Sequence, residues 1–161
     1  MSDQLALTCV DDIMDRRATT LSPSQSLREA FAHLEAEEKA GAPVVHDGRV
    51  VGFLSQLDCI RAMSTSAFHR RPTGVVQDHM TAPTITTVPD ADLFNVAEEF
   101  LESGHHHLPV VDEAGGLLGV VALSDVCRGL VELRRRAPRL DHPAGAAWDP
   151  LRSRARDRSR R

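Results

Sequence analysis

Apolar residues recur along this chain in two periods, and the two alternate in the same order twice over. Leu27, Ala30, Phe31 and Leu34 fall at i, i+3, i+4 and i+7, one face of a helix. Ser26 with Glu29 offers a capping box ahead of that helix, and Glu35, Glu37, Glu38 and Lys39 form its wet face. Before it, residues 9–15 read as a short helix or turn and residues 18–21 as an extended segment that stops at Ser22-Pro23. After it, residues 43–46 and 49–54 are β-branched runs around Asp47-Gly48, a two-residue hairpin signal, and a second helix is expected over about 55–63. Residues 64–75 mix Ser, Thr, His, Arg, Pro and Gly without apolar period and read as a connection. The order then returns. An extended segment at 84–88 stops at Pro89, and a helix carries Leu93, Val96, Ala97, Phe100 and Leu101 on one face, with Gly104 placed to end it. Strands at 109–112 and 117–122 follow, and a last helix runs from 124 to about 136.

The return is literal. Pro43 matches Pro109, Val44-Val45 matches Val110-Val111, Gly52 matches Gly119 and Asp58 matches Asp125, at an offset of 66 or 67 that changes only inside the hairpin turn. Upstream, Val10 to Met14 answers Val76 to Met80, and Pro23 and Leu27 answer Pro89 and Leu93. Two copies of a unit of about 55 residues therefore fill most of the chain; a domain that small is marginal alone, whereas two halves packed together share a core. The expected organisation is a first repeat with its N-terminal segment over 1–66, a linker over 67–75, a second repeat over 76–133 and a basic tail over 134–161.

Composition narrows the class. The apolar fraction of 42% is ordinary, and no apolar run approaches the roughly 20 residues of a membrane span. The stretch Met1 to Thr8 lacks a charged region followed by an apolar one, so a cytoplasmic protein without membrane association is expected. Cys9, Cys59 and Cys127 are widely spaced with no C-x-x-C, which suggests small apolar fillers rather than disulfides or a zinc site. The net charge of -4 hides an asymmetry: residues 134–161 hold ten Arg against three Asp, a net +7, which leaves -11 for the rest.

The ordered marks, Pro-Val-Val, a Gly in the third strand and an Asp in the first turn of the last helix, resemble the cystathionine β-synthase (CBS) domain. The two copies resemble the tandem CBS pair called a Bateman module, over about residues 10–133. The resemblance implies an α+β fold, a tandem CBS domain pair of two β-α-β-β-α repeats with pseudo-twofold symmetry. It also implies an adenosine-containing ligand such as AMP, ADP, ATP or S-adenosylmethionine in clefts between the halves, no required cofactor, a homodimer, and a regulatory role toward a protein effector. The family signature G-x-x-[ST]-x-x-D runs here from Gly52 to Asp58, which assigns Asp58 to ribose hydroxyls and Ser55 to phosphate or sugar. From Gly119 to Asp125 the Asp is kept and Ala122 stands where the hydroxyl belongs. By the same resemblance His106 and His107 face the phosphates, Lys39 does so in the first copy, and Thr20 and Thr86 lie on the strands whose backbone runs near the base.

Physical chemistry allows these roles and others. A carboxylate can accept two hydrogen bonds from a vicinal diol, and a helix N-terminus offers N–H groups to an anion; equally, S-x-x-D caps a helix with no ligand present. The threonines also read as ordinary β-branched strand residues. Alternation puts His105 and His107 on one strand face, but without a third ligand they make no metal site. No nucleophile with base and orienting group, no P-loop and no metal cluster is visible, so an enzyme is not expected. The alternative is a ligand-free dimerisation or interaction module whose tail, Arg-rich over 152–161 and carrying Trp148, binds an acidic partner or, less favoured, nucleic acid.

Overall fold

A computed structural model describes residues 9–136. The Arg-rich stretch over 152–161 and Trp148 lie outside the described residues. In chain order the elements are a 3-10 turn Val10–Asp12, α1 (Leu27–Ala36), β1 (Gly41–His46), β2 (Arg49–Ser55), α2 (Gln56–His69), a second 3-10 turn Val76–Asp78, α3 (Leu93–Ser103), β3 (His107–Val111), β4 (Leu117–Ala122) and α4 (Leu123–Arg136).

Each hairpin is antiparallel, and the registers match: Pro43 faces Phe53 as Pro109 faces Val120, with a slip between Val44 and Val45 and again between Val110 and Val111. Asp47 and Gly48 take φ of 47° and 77°, the left-handed pair that fits a two-residue turn to strand twist. The extended segment expected to open each repeat is present but pairs through a single parallel bridge, Leu21 to Val44 and Thr87 to Val110. Leu21 N–H donates to Pro43 O at 3.0 Å and Val45 N–H to Leu21 O at 2.9 Å. Pairing stops there because Pro43 and Pro109 have no N–H to extend the ladder.

Helix ends follow their caps. Ser26 Oγ accepts from Glu29 N–H at 3.3 Å, Asp92 caps α3 through Phe94 N–H at 2.7 Å, and Gly104 ends α3 at φ 68°. Helix α2 continues to His69, six residues past the sequence expectation, and closes on Arg70 at φ 51°. Helix α4 takes in Arg134 to Arg136, the first residues assigned to the tail. On α3, Leu93, Val96 and Phe100 are buried while Leu101 is 82% exposed, because it lies at the edge of the stripe rather than within it.

The core forms two clusters, and each is completed by the other repeat. The first gathers Leu21, Leu27, Leu34, Val44, Leu54 and, from the start of the second copy, Val76, with Met80 packed against it. The second gathers Val96, Phe100, Leu108, Val110, Val121, Val126 and, from the start of the first copy, Val10 and Met14. Main-chain bonds fix the exchange: Val10 N–H donates to Ala91 O at 3.0 Å and Asp11 N–H to Pro89 O at 2.8 Å, while Val76 N–H donates to Gln25 O and Gln77 N–H to Pro23 O, both at 3.0 Å. Each fully buried Leu or Val here stabilises by about 1.5–3 kcal/mol through burial.

Candidate functional site

The site starts at the two strand-to-helix junctions. Strand β2 runs straight into α2, so Asp58 falls in the first turn, where its Oδ2 accepts from Ser55 N–H at 2.9 Å and from Ser55 Oγ at 2.6 Å. Ser55 Oγ in turn accepts from Asp58 N–H at 3.2 Å, a reciprocal capping box. The pair expected on a ligand is therefore engaged by its own helix. At the second junction Ala122 has no hydroxyl to give. Asp125 Oδ2 accepts from Ala122 N–H at 3.0 Å, with no hydroxyl from residue 122 beside it. Each acid also meets an arginine three residues on, Arg61 with Asp58 and Arg128 with Asp125. These arginines were missed in the sequence, although D-x-x-R stands in both copies; exposed as they are, such pairs contribute about 0–1 kcal/mol.

Asp125 borders a cleft of about 320 Å³ between the halves, walled by Asp15, Thr19, Lys39, Gly41, His107 and Val120 among others. Three sequence-expected residues, Lys39, His107 and Asp125, thus meet in one place, one from the first copy and two from the second. Asp15, which the sequence did not single out, is held there by two main-chain bonds, its N–H to Val120 O at 2.9 Å and Val120 N–H to its O at 3.0 Å. Glu38, at φ 52°, turns the chain out of α1 so that Lys39 reaches the cleft. Lys39 Nζ donates to Asp15 Oδ2 at 2.9 Å. That bond, helped by Arg17 N–H, holds the Asp15 carboxyl below the usual carboxylate range.

His107 is half-buried and stacks on Phe53, ring centroids 5.7 Å apart and planes 14° off parallel. Burial lowers its pKa, His106 pushes the same way, and Asp125 opposes both. The ring is therefore mainly neutral at pH 7, a hydrogen-bonding wall rather than a fixed cation.

The other expected residues sit elsewhere. His106 is exposed, and its carbonyl accepts from Leu123 N–H at 3.0 Å. Thr20 and Thr86 are exposed and outside the Asp125 cleft; their neighbours Thr19, which lines it, and Thr87, which is buried, face inward. Asp58 borders a separate groove of about 560 Å³ along α2, with Arg61, Thr65, His69, Arg71 and His79. Among the described residues no group of three or more His, Cys, Asp or Glu is placed to hold a metal ion, and no helix is long and apolar enough to cross a membrane.

A tandem pair of this topology, with an acid at each strand-to-helix junction and a cleft between the halves, defines a class of two-repeat module. The sequence profile of the CBS domain matches residues 10–65 and 76–132, more than half of the chain, so the chain belongs to the CBS domain family. The CBS domain-containing protein YhcV of Bacillus subtilis is 28% identical over 120 residues, 74% of this chain and 84% of that protein. The uncharacterized protein MJ0188 of Methanocaldococcus jannaschii is 26% identical over 125 residues, 76% of this chain, and the chain spans 44% of that relative's length. Among solved structures, CBSX2 of Arabidopsis thaliana in complex with AMP matches with a TM-score of 0.70 at 28% identity, covering 79% of this chain and 98% of that one. The CBS domain pair of MJ0100 in complex with 5′-methylthioadenosine and S-adenosyl-L-methionine matches with a TM-score of 0.68 at 25% identity, covering 75% of this chain and 98% of that one.

Proposed function

We propose that the chain is a regulatory CBS-pair protein, cytoplasmic and without catalytic activity of its own, which takes up an adenosine-containing ligand and passes its occupancy to a protein effector. The observation that carries this reading is the cleft between the halves, where the Asp125 carboxylate and the Lys39 ammonium border one space. Asp125 accepts the ribose hydroxyls, and Lys39 meets a phosphate or another anionic group when the ligand has one. AMP, ADP, ATP and S-adenosylmethionine share the adenosyl part, and the AMP, methylthioadenosine and S-adenosylmethionine held by the two similar structures support that shared recognition.

Signalling follows from the walls. Because both halves line the cleft, a ligand that draws Lys39 away from Asp15 loosens the end of α1 from the segment whose main chain is bonded to Val120 of the second copy. A homodimer fits the surface, since Leu57, Ile60 and Phe68 fall at i, i+3 and i+11 on α2 and are 54%, 51% and 84% exposed.

Thermal melting with adenosine, AMP, ATP and S-adenosylmethionine tests the reading. A ligand specific for the folded state raises stability by about 2.7 kcal/mol at a hundredfold excess over its Kd. Asp125→Ala should weaken all four by about 1.5–3 kcal/mol, ten- to hundredfold, whereas Lys39→Ala should weaken chiefly AMP and ATP. Unchanged melting with every ligand sinks the sensor and leaves the ligand-free interaction module.

A further inference from the structure

The repeat maps the residues of the Asp125 cleft onto a second set around Asp58. Asp15 answers Thr81, Gly41 answers His107, and Val120 answers Phe53. The backbone obeys the same mapping: Val120 bridges Asp15 just as Phe53 bridges Thr81, through Phe53 N–H to Thr81 O at 3.0 Å and Thr81 N–H to Phe53 O at 2.9 Å. The side chains do not. Val120 leaves the first cleft open above Gly41 and His107. Phe53 is 7% exposed, its ring stacks on His107, and a Cβ built on Gly41 would lie 2.7 Å from its Cε1. One aromatic ring thus packs against both Gly41 and His107. It stands where Val120 stands in the Asp125 cleft, and the groove that Asp58 borders along α2 is a separate space.

We propose that Phe53 fills the pseudo-symmetric counterpart of the Asp125 cleft, so that each chain takes up one adenosyl ligand and the two halves, alike in backbone, are unlike in use. This inference rests on the functional reading above and adds its stoichiometry and the residue that sets it. It also gives the departure at Ala122 a different sense, since the copy lacking the signature hydroxyl is the one with room for a ligand.

The test is isothermal titration of AMP and of S-adenosylmethionine into the full chain and its variants. Wild type should bind one equivalent per chain of whichever probe it takes. Phe53→Val, which installs the residue of the open side, should bind two, and Phe53→Val with Asp125→Ala should return to one rather than fall to none. Val120→Phe, the converse exchange, should lose binding while keeping a cooperative melt, and it decides the matter even if Phe53→Val does not fold. Two equivalents in wild type, or undiminished binding in Val120→Phe, would overturn the proposal while leaving nucleotide sensing intact. No heat from either probe with wild type and Phe53→Val alike ends the sensing reading itself and this inference with it.

Discussion

Gly119→Ala adds one methyl group at the tightest crossing of the cleft wall, and the structure sets its cost. A Cβ at this position would lie 2.8 Å from Asp15 O, 3.3 Å from Asp15 C and 3.1 Å from Met14 Sδ. Ordinary contact begins at 3.4 Å, and two of the three atoms are main chain, so they cannot swing away as a side chain would. Segment and strand must separate by roughly half an ångström, which stretches the Asp15–Val120 bonds from 2.9 and 3.0 Å toward the 3.5 Å limit. Overpacking of this kind costs about 1–3 kcal/mol. At about 4 °C per kcal/mol for a domain of this size, the Tm should fall by roughly 4–12 °C. Asp15 also orients Lys39 in the cleft, so AMP affinity should drop in the same variant. Gly48→Ala is the control. It strains a turn at φ 77° by about 1–2 kcal/mol but meets nothing within 4 Å, and it should lower the Tm while leaving affinity alone. Calorimetric melting and titration of both variants decide it. A Gly119→Ala protein that melts with wild type, or a Gly48→Ala protein that loses equal affinity, refutes the close-approach account.

Thiol labelling should order the cysteines: Cys127 is exposed and should react in the native state, whereas Cys59, fully buried with its pKa pushed up to about 11 by burial and by Asp58, should react only on unfolding. Labelling of Cys59 at the rate of Cys127 under native conditions contradicts the packing. The pH dependence of stability should carry a His107 component. Its pKa is lowered in the folded state, so near and below about pH 6.5 the unfolded chain holds more protons, and stability falls as pH drops from there through the folded pKa. His107→Gln should flatten the melting profile between about pH 7 and 5. Asp15 acts in a separate window, because its lowered pKa contributes stability that is lost only below about pH 4. An unchanged slope in His107→Gln would show that the ring is as well solvated folded as unfolded.

Much of the architecture was legible because it depends on near neighbours. Ser26 and Gly104 mark helix ends through bonds that span three or four residues, and Asp47-Gly48 dictates its own turn. The last part of α2 was not legible, because its residues are exposed and an apolar period reports burial, not helicity. The exchange of Val10 and Val76 was invisible for a related reason: patterning says that a residue is buried, not which partner buries it. At the site, Asp125, Lys39 and His107 were singled out through the family resemblance, and the structure places all three around one cleft. Asp15 was overlooked since nothing around it in sequence hints at the Lys39 it meets. Phe53 was read as one letter of a signature, yet its position opposite Thr81 and over Gly41 makes it a barrier.

The reciprocal completion of the two cores also sets an order of events during synthesis. A ribosome extends a chain by about 5–20 residues per second, and domains generally fold from the N-terminus as they emerge. Here that rule meets an obstacle. The first core lacks Val76 until the second copy has begun to appear, and Val10 and Met14 have nowhere to dock until Val126 is made. The segment that carries Val10 and Met14 therefore waits until the second copy has been made, and it is seated after turns that are synthesised later than itself.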